Sequence, residues 1–236
     1  MLRLSIADLL STFPDFRTAI LLIEADGIAT QRTPGLAAYI AEAEAACRAR
    51  WTGMELSAIP GIAAWRRAYK GFGIKSTSYR SSVERLVKRV LAGDSMPAIN
   101  GFVDLYNAVS LAHVLCLGAD DLDRITPDIA FRFARDDDTF IDMAPGEGLP
   151  AEQPPKPGEA VYASGSTVLC RRWNWRQDAR SIVTPQTRRI VLTLQSNGEG
   201  SVEDAAQALM ALAQTELGMT SRLAIADRET PMIELA

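Results

Sequence analysis

Three polar side chains fall at helical spacing in an otherwise apolar stretch, Met96-Pro-Ala-Ile-Asn-Gly-Phe-Val-Asp-Leu-Tyr-Asn-Ala-Val-Ser110. At 100° per residue, Asn100, Asp104 and Asn107 lie within about a 60° arc of a helix. The surrounding Phe102, Val103, Leu105, Tyr106, Val109, Leu111, Val114 and Leu115 predict that this helix is largely buried. Polar groups on a buried helix are satisfied inside the protein or turned toward a ligand. Spacing alone leaves an internal hydrogen-bond network equally open.

Other chemistry is largely excluded. The single histidine, His113, lies about 160° from the polar stripe on the helical wheel and reads as a structural residue. No Ser-His-Asp arrangement is credible with it there. Cys47, Cys116 and Cys170 are far apart, form no CxxC and, with one histidine, complete no zinc set. Such sparse cysteines fit a reducing compartment, and a cytoplasmic protein is expected. Gly71-Phe-Gly73-Ile-Lys75 lacks the spacing of a phosphate loop and reads as a turn. Asp120-Asp-Leu-Asp123 and Asp136-Asp-Asp138 lack a calcium-loop pattern and are expected to be solvated turns. No metal or cofactor is predicted. The first residues meet Asp8 too early for a secretory signal, and no window approaches 18 apolar residues, so no membrane span is expected.

The chain has 236 residues, is 47% hydrophobic, and carries a net charge of −4 with a pI near 5.2. The average hides a local asymmetry. Residues 65–90 hold Arg66, Arg67, Lys70, Lys75, Arg80, Arg85, Lys88 and Arg89 against Glu84 alone, a net +7, leaving −11 for the rest. A second basic segment, Arg171-Arg-Trp-Asn-Trp-Arg176, interleaves arginine with tryptophan, a composition suited to pairing with phosphate and stacking on bases. Lys75, Arg80, Arg171, Arg172 and Arg176 are therefore the candidate RNA contacts. The competing structural reading is a solvated helix face for the first segment and a strand with one aromatic side in the core for the second.

The elements that would position these residues can be read in order. Ala19-Ile-Leu-Leu-Ile23 reads as a buried strand, and Thr33-Pro34 as the start of a helix running to about Arg50. A short helix over 60–69 ends at Gly71-Phe-Gly73, before a polar loop over 75–80. Ser81-Ser-Val-Glu84 reads as a capping box opening an amphipathic helix through Leu91. Pro97 leads into the central helix. Ile129 to Arg135 alternates as a strand does, and 144–158 is a Pro/Gly-rich loop. Strands are predicted at 159–162, 167–172, 189–194 and 232–235, with a helix capped by Ser201 and stopped by Gly218. Helices crowd the first half and strands the second, which implies an α+β fold without a doubly wound sheet. Residues 1–59 form an N-terminal strand–helix part packed on a 60–236 core, in one compact domain.

Several of these segments together resemble a known family. Tyr79-Arg-Ser-Ser82, Met96-Pro-Ala-Ile-Asn100, Val103-Asp-Leu-Tyr-Asn107 and Gly118-Ala-Asp-Asp-Leu-Asp123 look like the B3/B4 domain of the bacterial phenylalanyl-tRNA synthetase β subunit. Gly158-Glu159, Arg172-Trp-Asn174 and Thr184-Pro-Gln-Thr187 resemble its stand-alone members. The likeness covers about residues 60–195. It implies a three-layer α+β fold with an unusual β-sandwich flanked by helices. It also implies an editing site that hydrolyses the ester of tyrosine wrongly attached to the phenylalanine tRNA. Asn107 matches the asparagine of the family's site motif, and Tyr106 stands where the synthetase has threonine. Gly118 falls where the synthetase has a histidine, and the family's late glutamate aligns near Thr193. The catalytic, coiled-coil and anticodon-binding modules of the synthetase are not in this sequence, so a free-standing member is implied.

Three functions are thus expected to compete. The first is a hydrolase of mischarged aminoacyl-tRNA acting in trans, with Asn107 and Asp104 as catalytic candidates. Tyr106, Asn100, Gly118, Trp173 and Asn174 are then the substrate contacts. The second is a non-catalytic binder of RNA, a free amino acid or another small molecule. The third is a protein-interaction module whose polar stripe is structural. Fold carries over between relatives more safely than function does.

Overall fold

The computed structural model describes residues 1–74 and 79–235. The fold is α+β, with six α-helices and two sheets among the described residues. In chain order the elements are β1 (Leu2–Ser5), α1 (Ala7–Leu10), β2 (Phe16–Glu24), α2 (Pro34–Trp51), α3 (Pro60–Gly71), α4 (Ser82–Leu91) and α5 (Gly101–His113). They continue with β3 (Cys116–Asp121), β4 (Asp128–Phe133), β5 (Ala160–Ser164), β6 (Thr167–Arg171) and β7 (Arg176–Gln177). The chain ends with β8 (Arg189–Asn197), α6 (Val202–Leu217), β9 (Thr220–Ala226) and β10 (Met232–Leu235).

One sheet has the order β10-β1-β4-β5-β6-β7, in which only β1 and β4 run parallel. The other is antiparallel, ordered β3-β8-β2-β9. Residues 1–59 thus supply an inner strand, β2, to a sheet otherwise built from later residues. From Thr18 to Ile23 every residue of β2 is buried, as expected for a strand covered on both faces. Helices α5 and α6 pack on this sheet, and Phe16 of β2 meets Phe131 of β4 edge-on at 5.1 Å.

Local chemistry fixes most boundaries. The Thr33 hydroxyl accepts from Leu36 N at 3.0 Å with Pro34 at N1, opening α2. Ser201 caps α6, which stops at Gly218 with φ 65°. Ser81 caps α4, but its capping box is only half made. The Glu84 carboxylate turns away from the cap to Arg66 and Arg80.

Asn100, next to the turn after Pro97, suits a cap and is one: the central helix begins at Gly101, and the Asn100 side chain accepts from Val103 N at 2.9 Å. One expectation is corrected. Asp120 and Asp121 lie in no solvated turn: both are buried on β3. Asp138 is buried too, gripped by Arg132 at 2.6 and 2.8 Å, while Asp136 and Asp137 are exposed.

Candidate functional site

From Gly101 to Leu111 the central helix α5 is buried at every position except Asn107. Asn107 opens onto a cavity of about 300 Å³, at the small end of the ~300–1,000 Å³ range of ligand pockets. Several elements converge there. β3 and β8 pair with Gly118 opposite Thr193. Alternation then puts Gly118 and Asp120 on the same sheet face as Thr193 and Gln195. Tyr106 and Asn107 come from α5, Tyr162 and Cys170 from β5 and β6, and Asn174 to Gln177 from the hairpin into β7.

That hairpin is held in an uncommon backbone conformation. Arg172 and Trp173 both have positive φ, 45° and 68°. Left-handed non-glycine residues cost roughly 1–3 kcal/mol each and persist where surroundings over-determine them. Here they do. The Trp173 ring meets Phe13, Phe16 and Trp65 at 4.8, 4.7 and 5.2 Å, and the Trp173 backbone N–H donates to the Ala160 carbonyl at 2.6 Å. Glu159 accepts from Arg172 N at 2.9 Å. The turn so fixed delivers Asn174 to the cavity wall, where a relay sets its amide. Tyr69 Oη donates to Asn174 Oδ1 (3.0 Å), Asn174 Nδ2 to Gln195 Oε1 (3.1 Å), and Gln195 Nε2 to Thr193 Oγ1 (3.1 Å). Among the described residues the Thr193 hydroxyl has no acceptor of its own.

Asp120 dominates the cavity's electrostatics, although its acidic run reads as a solvated turn in the sequence. Nine carboxylates are buried among the described residues. Eight of them lie within 4.0 Å of an arginine nitrogen. Asp120 has no such partner among the described residues. Ser181 Oγ (2.6 Å) and Gln177 Nε2 (3.0 Å) both donate to its Oδ1, leaving Oδ2 without a donor among the described residues. Burial pushes the carboxyl up to about 7, against the pull of those two donors and with a further push from Asp178. A carboxyl in that range works as an acid or base near neutrality, or as the counter-ion of a cation. Burial also raises Tyr106, Tyr162 and Cys170, with the Asp120 charge as a second cause for each. The Cys170 thiol is therefore protonated at neutral pH and is no nucleophile. The Tyr162 hydroxyl, on a residue only 3% exposed, has no hydrogen-bond partner among the described residues.

The expected site residues divide. Asn107, Tyr106, Gly118, Asn174 and Arg176 line the cavity. A Cβ at Gly118 would meet no described atom within 4 Å, so this wall has room for a side chain. Asn100 and Asp104 lie outside it, because both are spent on the start of α5. Asp104 accepts from Ile99 N (2.9 Å) and Arg32 Nε (2.6 Å). Trp173 is wholly buried in its aromatic cluster. His113 sits half-buried at the end of α5, away from the cavity.

The basic segments divide too. Arg171 forms a two-pronged ion pair with Glu159 (3.0 and 2.9 Å), and Arg80 pairs with Glu84 at 3.2 Å. Arg172 is buried between the rings of Tyr79 and Trp175, 3.7 and 4.4 Å from their centres. Arg171 and Arg172 are thus buried among protein groups, while Arg80 is half-buried beside Glu84. Lys75 lies outside the described residues. Arg85 of α4 and Arg176 both line the cavity, so one residue from each basic segment reaches it. Arg176 is held by Asp142 at 3.1 Å, whereas Arg85 is exposed and donates only to the Trp175 carbonyl (3.3 Å) among the described residues. Arg67, Lys70, Lys88 and Arg89 are exposed, with no carboxylate within 4.0 Å among the described residues. No group of three or more His, Cys, Asp or Glu side chains there could hold a metal, and no described helix is long and apolar enough to cross a membrane.

Comparison with known proteins gives the chain a family. No curated protein matches it. Among solved structures, an N-terminal fragment of the phenylalanyl-tRNA synthetase β-subunit from Pyrococcus horikoshii is 17% identical, with a TM-score of 0.40. That match covers 51% of this chain and 41% of the fragment, so the chain spans less than half of it. The B3/4 domain model matches residues 64–222, well over half of the chain and all of the cavity wall. The chain belongs to the B3/4 domain family.

Proposed function

We propose that this protein binds the aminoacyl end of a charged tRNA and hydrolyses a wrongly attached amino-acid ester in trans. One observation carries the reading: a single amino-acid-sized cavity gathers Asn107, the unpartnered Tyr162 hydroxyl and the Thr193 hydroxyl under a cationic rim at Arg85. An aminoacyl ester is already activated, so its hydrolysis needs a positioned water and a polarised carbonyl, with no covalent nucleophile. The Asn107 amide and the two hydroxyls supply donors for the carbonyl oxygen as it gains negative charge. Water adds to the carbonyl carbon, the bond to the ribose oxygen breaks, and that oxygen leaves with a proton. Arg85, with Lys88, Arg67 and Lys70 on neighbouring helical surface, supplies charge for the phosphates of the acceptor end.

Deacylation of a panel of mischarged tRNAs tests this. Release of at least one amino acid above the buffer rate, and its loss in Asn107→Ala, is expected. Buffer rates across the panel would end the reading. The second reading, binding without turnover, draws on Gly118 and Thr193, which stand where the resemblance puts a histidine and a glutamate. It expects salt-sensitive tRNA retention with no release of amino acid.

A further inference from the structure

We infer that Asp120 is the receptor for a protonated amine, so that the cavity takes ligands with a free ammonium group and rejects their N-acylated forms. The inference takes the cavity as the substrate site, as the proposed function does, and adds the substrate class.

The argument starts from how this protein treats its other buried acids. Each is neutralised by an arginine, while the acid facing the cavity has only neutral donors, both on Oδ1. A buried carboxylate without a cation is costly, and the cost persists where a ligand supplies the missing charge. Oδ2 is left open for it. Beside Asp120, the Tyr162 hydroxyl is buried and unpartnered, and it can accept from a second N–H of an ammonium. Tyr106 and Tyr162 line the same wall, and aromatic rings are favourable neighbours for a cation. Among the described residues, no cluster of ligands on this wall would suit a metal ion instead. The carboxyl's rise to about 7 shows how strongly burial disfavours the bare charge, and an ammonium neighbour would restore it. The groups around it are Tyr106 on α5, Tyr162 on β5, Cys170 on β6, Gln177 on β7 and the Asp178–Arg180 pair beyond. None of them brings a positive charge to Oδ2.

The amides of L-tyrosine, L-phenylalanine and L-alanine, each free and N-acetylated, are suitable probes because they resist hydrolysis. Titration of the purified chain should show at least one free amide binding about tenfold or more tightly than its acetylated partner. In Asp120→Asn that preference should disappear, with folding checked by thermal unfolding. Equal affinity within every pair, absence of binding by all free amides, or a preference that survives in Asp120→Asn would overturn the inference. The wild-type comparison stands even if the variant folds poorly. The two claims fail separately. Deacylation of tRNA without amine discrimination removes the Asp120 role alone. Amine-selective binding without deacylation removes the hydrolase and leaves the receptor.

Discussion

Asp104, in the first turn of α5, and Asp120, on β3, are both buried acids, and the protein uses them in opposite ways. Asp104 is closed on all sides: Arg32 neutralises it, Ile99 N–H donates to its other oxygen, and the result is a fixed start for α5. Asp120 lines the cavity with no arginine beside it, and one of its oxygens has no donor among the described residues. An acid with a resident cation holds the structure together, whereas an acid without one waits for a ligand. The contrast divides the polar stripe: Asp104 secures the start of the helix, while Asn107 shares the cavity with Asp120.

Breaking the closed acid should have the largest effect on stability. Asp104→Ala strands Arg32 and removes the Ile99 bond, costing about 3 kcal/mol, the low end for a buried pair because Arg32 keeps partial solvent contact. Urea unfolding measures it, and amide binding at low temperature should stay as in wild type.

Breaking the open acid should do the reverse. Asp120 has a folded-state value above that of an unfolded chain, so the folded protein holds an extra proton between about pH 4 and about pH 7. Stability should therefore fall as the pH rises through that window. Asp120→Asn should flatten this slope and stabilise the protein at pH 8 by about 2 kcal/mol. Thermal unfolding at pH 5 and pH 8 reads both effects.

Asn107→Ala sharpens the comparison from the helix side. The Asn107 amide has no hydrogen-bond partner among the described residues, so stability should move by no more than about 0.5 kcal/mol. Loss of a donor to the developing oxyanion should slow deacylation by about 100-fold. The smallest effect is expected at the rim. Arg85→Ala should weaken tRNA binding modestly and lower its salt dependence by about one counterion, leaving amide binding unchanged.

How much of this was legible depends on whether partners lie near in sequence. Helical spacing found Asn107 and the burial around it, because one turn of helix is a local pattern. The same spacing put Asn100 and Asp104 on one stripe with it; the turn after Pro97 marks Asn100 as a cap, but the partner that closes Asp104, Arg32, lies 72 residues earlier. Arg171 looked free for phosphate, because its partner Glu159 sits across the β5–β6 pairing. Asp120 was hidden by its neighbours: a run of acids reads as a turn, and only the pairing of β3 with β8 turns it inward. Its alternation with Gly118 was the one local signal. β9, an edge strand of mixed burial, gave no clear pattern. The resemblance to the B3/B4 domain supplied the family and fold, which periodicity alone left at α+β.

The central claim, that the Asn107–Asp120 cavity receives the aminoacyl group of a charged tRNA, meets its most direct test in one comparison. Wild type, Asn107→Ala and Asp120→Asn would be incubated with mischarged tRNAs, and the free amino acid released would be followed over time. Release by the wild type, strongly reduced in both folded variants, is the predicted result. Release that both variants retain, or no release above buffer by the wild type, would contradict it.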